Sequence, residues 1–272
     1  MQIYTLNVGQ GQFVVVVGEK EAFIVDTHVP LSGNQETEFI LGALSKILKD
    51  KHLMGLIVTG FDADHFCEVG MKIVLNKYRP DWLMYPKYFK ETDTAKKCFA
   101  VIDGLDKQKG IKRYSMLLGS TPARFYTTFS EEFYFEVFSP HSSDMSSSNN
   151  CSIVCKVVER STKASYLITG DTENDRWDAI VQEFGAALKA DVLAAPHHGS
   201  ENGITEEALE LIQPHTTLIS AGVDNQYGHP HPSALALFKK HSEIWYRTNF
   251  EKGRSLRTVA DGLEVKTYVF QQ

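Results

Sequence analysis

The chain has 272 residues, 43% of them hydrophobic and 23% charged, with a formal net charge of −6. That length supports one large domain or two small ones with an ample core, and the acidic balance excludes a protein that coats nucleic acid non-specifically. No apolar stretch approaches a membrane span and the amino terminus lacks a basic-then-apolar signal pattern, so a cytoplasmic protein with no membrane contact is expected. Cys67, Cys98, Cys151 and Cys155 are scattered and form no disulfide framework. Alternation places Cys151 and Cys155 on one face of one strand, as core thiols.

Three short strands are predicted first, at Ile3–Leu6, Phe13–Val17 and Ala22–Val25, with Gly9, Gly11 and Gly18 in the turns. Phe39, Ile40, Leu44 and Leu48 carry the period of an amphipathic helix over Glu36–Lys49. A buried strand at Leu56–Val58 runs into an acidic turn, and a helix starts near Glu68. Pro80 to Thr128 is mixed, with one helix across Thr94–Leu105. The carboxyl half then alternates. Strand Phe133–Phe138 leads through a Ser/Asn-rich loop at Ser142–Asn150 to strands Ser152–Val158 and Ser165–Thr169. Helix Asn174–Phe184, strand Val192–Ala195, helix Thr205–Ile212 and strand Thr217–Ala221 follow. Helix Ser233–Lys240 and strands at Ile244–Tyr246, Ser255–Val259 and Leu263–Tyr268 close the chain. No linker or short-period repeat divides it, so residues 1–272 read as one domain: two sheets between helix layers, an αββα sandwich.

The turn Thr59-Gly60-Phe61-Asp62-Ala63-Asp64-His65 crowds Asp62, Asp64 and His65 together at a strand end. Such a turn either holds a cation or tolerates repulsion between its carboxylates. Two later segments repeat the pattern: Thr169-Gly170-Asp171 after Tyr166-Leu167-Ile168, and Pro196-His197-His198-Gly199-Ser200 after Val192-Leu193-Ala194-Ala195. Three apolar strands that each end in ligand-type side chains argue for a metal site.

In order, Asn7-Val8-Gly9-Gln10-Gly11, Val25-Asp26-Thr27, Asp62-Ala63-Asp64-His65, Asn149-Asn150-Cys151-Ser152, Thr169-Gly170-Asp171, Pro196-His197-His198-Gly199-Ser200 and Tyr227-Gly228-His229-Pro230 resemble the metallo-β-lactamase fold. More narrowly, residues 3 to about 250 are similar to the hydrolase domain of the ComEC competence family and its stand-alone relatives. By that resemblance Asp64, His65 and His197 match the ligands of one metal position, Asp171 the carboxylate bridging to a second, and Asp26 a residue that supports the site. The cofactor implied is one or two divalent ions, Mn²⁺ or Zn²⁺ with Mg²⁺ also compatible.

The departures bear on the second position. The family turn usually opens with a histidine where this chain has Gly60, Asp62 stands where many members have histidine, and Asn149, Asn150 and Ser152 replace a further histidine. His28 follows Asp26-Thr27 where relatives have glycine. Two readings of it stay open: His28 replaces the imidazole missing at Gly60, with the absent side chain leaving room for it, or His28 is a loop residue. Asp62 completes the weaker position.

His198 is open between lining the substrate side, protonating a leaving group, binding metal and a structural role. His229 is placed at the site rim, His231 at the cap of the following helix, and Tyr227 either orients a phosphate or packs. Asp64, His198 and His229 are therefore the candidate catalytic residues. Gly9-Gln10-Gly11 is too short for a P-loop, and no Gly-x-Ser-x-Gly elbow or Cys/His pair supplies a covalent nucleophile. Two basic clusters, Tyr85-Pro86-Lys87-Tyr88-Phe89-Lys90 and Lys107, Lys109, Lys112, Arg113, are either solvated surface or a grip for a single strand.

The resemblance implies a metal-dependent phosphodiesterase or nuclease acting on DNA, in DNA processing or anti-phage defence beside a partner protein. Its alternatives are a hydrolase of a small molecule, such as a cyclic nucleotide or lactone, and a catalytically silent binding or regulatory module marked by Gly60.

Overall fold

The computed structural model describes residues 1–29, 34–87, 91–119, 125–142 and 147–270. Among them, two sheets stack face to face with helices on both outer surfaces. The first sheet begins with β1 (Gln2–Thr5), β2 (Val14–Val17), β3 (Glu21–Val25), β4 (His52–Ile57), β5 (Trp82–Pro86) and β6 (Lys112–Met116), and is completed by β14 (Ser255–Ala260) and β15 (Val265–Phe270). Its strand order is β15-β14-β1-β2-β3-β4-β5-β6. The second contains β7 (Phe125–Tyr126), β8 (Phe133–Ser139), β9 (Val154–Glu159), β10 (Ser165–Ile168), β11 (Val192–Ala194), β12 (Thr216–Ile219) and β13 (Ile244–Arg247), ordered β13-β12-β11-β10-β9-β8-β7.

Strand β2 shows how the layers arise. All four of its valines are buried, because period-two alternation sends Val14 and Val16 to the inter-sheet core and Val15 and Val17 to the helix side. The inter-sheet core is aromatic: the Phe23 ring meets Phe133 and Phe135 at centroid distances of 5.6 and 5.3 Å, and Trp82 meets Phe135 at 5.4 Å, all edge to face. Outside the first sheet pack α1 (Asn34–Ile47), α2 (Glu68–Ile73) and α3 (Asp93–Lys109), through Ile40, Leu44, Met71, Cys98 and Ile102. Outside the second pack α4 (Asn174–Phe184), α5 (Glu206–Ile212) and α6 (Pro232–His241), through Trp177, Ile180, Leu209 and Phe238.

Each half contains a parallel run. Strands β3 to β6 pair in parallel with α1, α2 and α3 in their crossovers, and β10 to β13 do so with α4, α5 and α6. In such sheets ligands bind beyond the carboxyl ends of the strands, where the connecting loops gather. Asp26, the Thr59–His65 turn, Asp171, His197-His198 and the loop after β12 all lie at such ends.

The fold is thus the αββα sandwich expected from sequence, with differences in detail. The mixed region conceals β5, β6 and β7 beside its helix; only two residues of β7 are paired, and β6 is largely exposed, so neither carries a buried apolar run. The helix from Glu68 continues as a π-helical turn over Val74–Tyr78. Cys151 lies in the turn before β9 and not on the strand with Cys155, although both thiols are buried and free. Of the first basic-aromatic cluster, Tyr85 packs against Phe61 and Phe99, and Tyr88, Phe89 and Lys90 lie outside the described residues. The side chains of Lys107 and Lys109 are also outside them, as is most of the Ser142–Ser148 loop. No helix among the described residues is long and apolar enough to cross a membrane.

Candidate metal centre

The site is assembled on Asp26, which is fully buried and held at φ 58° where β3 ends. Its Oδ1 accepts from the Thr59 amide and its Oδ2 from the Thr59 hydroxyl, both at 2.7 Å, so it fastens the acidic turn to the neighbouring strand end. Oδ2 also accepts from His65 Nδ1 at 2.8 Å. That contact sets the imidazole tautomer and aims Nε2 inward, where it lies 2.8 Å from Asp171 Oδ1.

Asp171 enters from the second sheet. Gly170 sits at φ 52°, and a Cβ there would come within 2.9 Å of Ser152 Cβ and 3.0 Å of Thr59 Cβ, so only glycine fits this turn. Ser152 Oγ accepts from the Asp171 amide at 3.0 Å, and Asn150 accepts from the Glu173 amide at 3.1 Å. Asn149 adds to this hold, its Nδ2 donating to Glu173 Oε1 at 3.0 Å, so Asn149, Asn150 and Ser152 all fasten the Asp171 loop.

His197 and His198 both adopt left-handed backbone, φ 48° and 56°, a conformation that costs about 1–3 kcal/mol per residue outside glycine. The tight turn makes the two rings diverge. His198 Nδ1 donates to the Ser220 carbonyl at 2.7 Å, leaving Nε2 at 3.5 Å from Asp64 Oδ2 and 3.7 Å from Asp171 Oδ1. His197 turns toward the rim, where Nδ1 is 3.4 Å from Glu173 Oε1 and its ring meets His229 edge to face at 5.5 Å.

The group that results is Asp64, His65, Asp171 and His198, each offering a ligand atom, all within 4.8 Å of one another. His197, matched to this position on sequence, lies outside that group; His198 is inside it. Asp62 and His28 also lie outside it but line the same cavity of about 590 Å³, with Asn149, His197, Tyr227 and His229. His28 Nδ1 donates to the Ala63 carbonyl at 2.8 Å. The room for its ring is made by Gly11, where a Cβ would fall 2.4 Å from His28 Cγ, and not by Gly60, where a Cβ would meet only Ser152 Oγ at 3.8 Å. His231 caps α6, its Nδ1 accepting from the Ser233 amide at 3.3 Å.

Charge and burial agree with a cation site. Burial works to lower the pKa of His65, but Asp171 and Asp26 outweigh it and hold the imidazole well above its ordinary value. His198 is likewise raised against burial by Asp171 and Asp64. Burial acts to raise the Asp171 carboxyl, and the His65 and His198 imidazoles pull it below the usual range. Asp64 is depressed as well, against burial, chiefly by its contact with His198 and the charge of His65. His28 is lowered by burial, and His229 is lowered to about 4 by burial and the neighbouring His197 and His198.

The donor set fits a divalent ion. His65 Nε2, His198 Nε2 and Asp171 Oδ1 are buried and converge on one another, at 2.8 Å for His65 Nε2 to Asp171 Oδ1 and 3.7 Å for His198 Nε2 to Asp171 Oδ1, a concentration of ligand-type atoms that a cation suits. Two imidazoles and two carboxylates suit Zn²⁺, Mn²⁺ or Fe, and both non-ligating nitrogens are already tied to acceptors.

No family model matches the chain. It is 30% identical over 263 residues to ComE operon protein 3 of Bacillus subtilis, covering 91% of this chain and 32% of that protein. It is 25% identical over 272 residues to Recombination protein 2 of Haemophilus influenzae, covering 97% and 30%. The chain therefore spans about a third of the length of these curated relatives. Among solved structures, a metallo hydrolase from Ignicoccus hospitalis superposes with a TM-score of 0.54 at 13% identity, each chain covered in full. The diiron β-hydroxylase CmlA from Streptomyces venezuelae gives 0.56 at 11%, covering 94% of this chain and 54% of that one. The chain has the metallo-β-lactamase fold, and in sequence it is similar to the ComEC-like competence and recombination proteins.

Proposed function

We propose that the chain is a divalent-metal-dependent phosphodiesterase that acts on DNA. The observation that carries this reading is the convergence of Asp64, His65, Asp171 and His198 at a cavity, with their ligand atoms within 4.8 Å of one another. Similarity to competence and recombination proteins favours nucleic acid as the substrate. The same resemblance favours work beside a partner protein in DNA processing or defence. A bound Mn²⁺ or Zn²⁺ ion supplies Lewis acidity toward a phosphoryl oxygen and lowers the pKa of water.

The protein's own groups do the rest. Asp26 and the Ser220 carbonyl orient His65 and His198 so that their Nε2 atoms face the cation position. Ser152 fixes the Asp171 backbone. Asp62, His28 and Asn149 line the same cavity and suit a weaker second cation or a direct contact with phosphate oxygens. His229 is neutral near pH 7, so at the rim it offers one donor and one acceptor nitrogen and not an imidazolium.

The test is metal content by elemental analysis of protein purified without chelator, beside Asp64→Ala/His65→Ala, followed by Mn²⁺-dependent cleavage of single- and double-stranded DNA. At least one equivalent of metal, lost with cleavage in the double variant, is the expected result. A protein that takes up no metal after incubation with Mn²⁺ or Zn²⁺ sinks the reading and favours a silent binding module. A cavity of about 590 Å³ also accommodates a nucleotide-sized molecule. Turnover of a cyclic nucleotide or lactone without cleavage of DNA identifies that second reading.

A further inference from the structure

Beyond the rim of the cavity, the segment after β13 displays an aromatic ring between two arginines. Phe250 is 48% exposed; the Arg247 guanidinium lies 5.6 Å from its ring centroid and that of Arg254 5.8 Å. Residues 247–254 hold three cations, Arg247, Lys252 and Arg254, against the single acid Glu251, on a chain whose net charge is −6. Glu251 pairs with Arg254. Arg247 has no carboxylate partner among the described residues, and its Nε is buried without a hydrogen-bond partner.

This ridge is fastened to the cavity wall. Asn249 Nδ2 donates to the His229 carbonyl at 3.1 Å and the Gly222 carbonyl at 3.3 Å, and His229 stacks on Tyr227 at 5.7 Å. The Thr248 hydroxyl bonds the amide and carbonyl of Ala221, both at 2.9 Å. Phe250 and the 59% exposed Tyr227 therefore stand on one pinned loop pair beside the catalytic opening. Exposed rings flanked by guanidinium groups are how sequence-tolerant sites hold an unpaired strand, with bases on the rings and phosphates on the cations.

Resting on the phosphodiesterase reading, we propose that Phe250, Arg247 and Arg254 form a platform for single-stranded nucleic acid. A base stacks on Phe250, the flanking phosphates lie on the two arginines, and the strand passes Tyr227 into the cavity. Charge complementarity selects a polyanion, and the half-exposed Phe250 ring selects an unpaired base over a duplex.

The experiment is fluorescence anisotropy of a short fluorescein-labelled oligothymidylate with the full chain in EDTA, so that no cleavage can occur. Phe250→Ala is expected to weaken binding about tenfold, and Phe250→Trp to retain it. Replacing Arg247 and Arg254 by alanine should flatten the dependence of log K on log salt by about 0.7 for each arginine removed. Thermal melting of each variant confirms that it is folded. An unchanged Kd in folded Phe250→Ala, equal affinity for duplex, or no binding by the unsubstituted chain overturns the platform. Hydrolysis of bis(p-nitrophenyl) phosphate by the unsubstituted Mn²⁺-loaded chain reports on the phosphodiesterase reading separately, since that diester has no neighbouring bases to stack.

Discussion

On one side of the cavity Asp64, His65, Asp171 and His198 converge within 4.8 Å, and each imidazole is braced from behind by an acceptor. On the other side Asp62, His28 and Asn149 face the same space without joining that group, and Gly60 contributes no side chain. The difference lies in convergence and not in bracing, since His28 Nδ1 is held by the Ala63 carbonyl much as His198 Nδ1 is held by that of Ser220. Asp26 and Ser220 hold the first side in register, and the ring of His28 is tied through Nδ1 to the Ala63 carbonyl beside Asp64. The first side brings four ligand-type groups within reach of one cation, and the second does not.

Breaking the first side should have the largest effect. His65→Ala or His198→Ala is expected to abolish metal uptake and lower any activity by more than the ~100-fold typical of losing an outer partner, while His197→Ala keeps the metal. Elemental analysis of the three variants reads this directly; metal lost from His197→Ala and kept by His198→Ala would reverse the assignment.

Removing the brace comes next. Asp26→Ala leaves the Thr59 amide unpaired in the core and His65 Nδ1 with only the Thr59 hydroxyl, at 3.0 Å, so metal affinity should fall about 10–100-fold and stability by about 3–5 kcal/mol. Competition with a chelator dye measures the first, and urea unfolding the second. A variant with unchanged metal affinity would show that Asp26 is structural only.

Proton competition is smaller. In the metal-free protein Asp171 and Asp26 raise the His65 pKa, so His65 is protonated at pH values where a free histidine is neutral. Stability from that imidazolium is fully present below the unfolded value of about 6.5 and is lost as pH rises through the folded value. Metal must displace the same proton, so apparent affinity should rise by up to about tenfold per pH unit until the folded pKa is passed. Isothermal titration calorimetry in buffers of different ionisation enthalpy detects the released proton, and a pH-independent affinity would contradict the charge arrangement.

The second side can be sharpened with Gly60→His. A Cβ at Gly60 meets only Ser152 Oγ at 3.8 Å, so the side chain has room, and metal content should rise from one toward two equivalents. Content that stays at one would place the limit in the orientation of Asp62 and not in the missing imidazole.

Most of the architecture was legible because its periodicities are local. The alternation in β2, the apolar runs before each ligand loop and the helices between the parallel strands follow from side-chain burial within a few residues. Strands β6 and β7 escaped because β7 is two residues long and β6 exposes most of its side chains, whereas β5 escaped although it is mostly buried. Asp64, His65 and Asp171 were candidates because each follows a recognisable strand end, whereas Asp26 was a candidate through the resemblance alone.

What the sequence by itself determined is therefore the order of strands, loops and helices, and the kinds of ligand atom delivered at the strand ends. Tertiary structure alone decided which atoms meet. His197 and His198 are adjacent and both left-handed, and it is the Ser220 carbonyl, on the next strand end, that draws His198 inward. His28 owes its place to the glycine at 11, and Asp171 its support to Ser152 across the second sheet. Neighbouring residues in a turn share the same local preferences, so only contacts made between distant loops can assign them different directions.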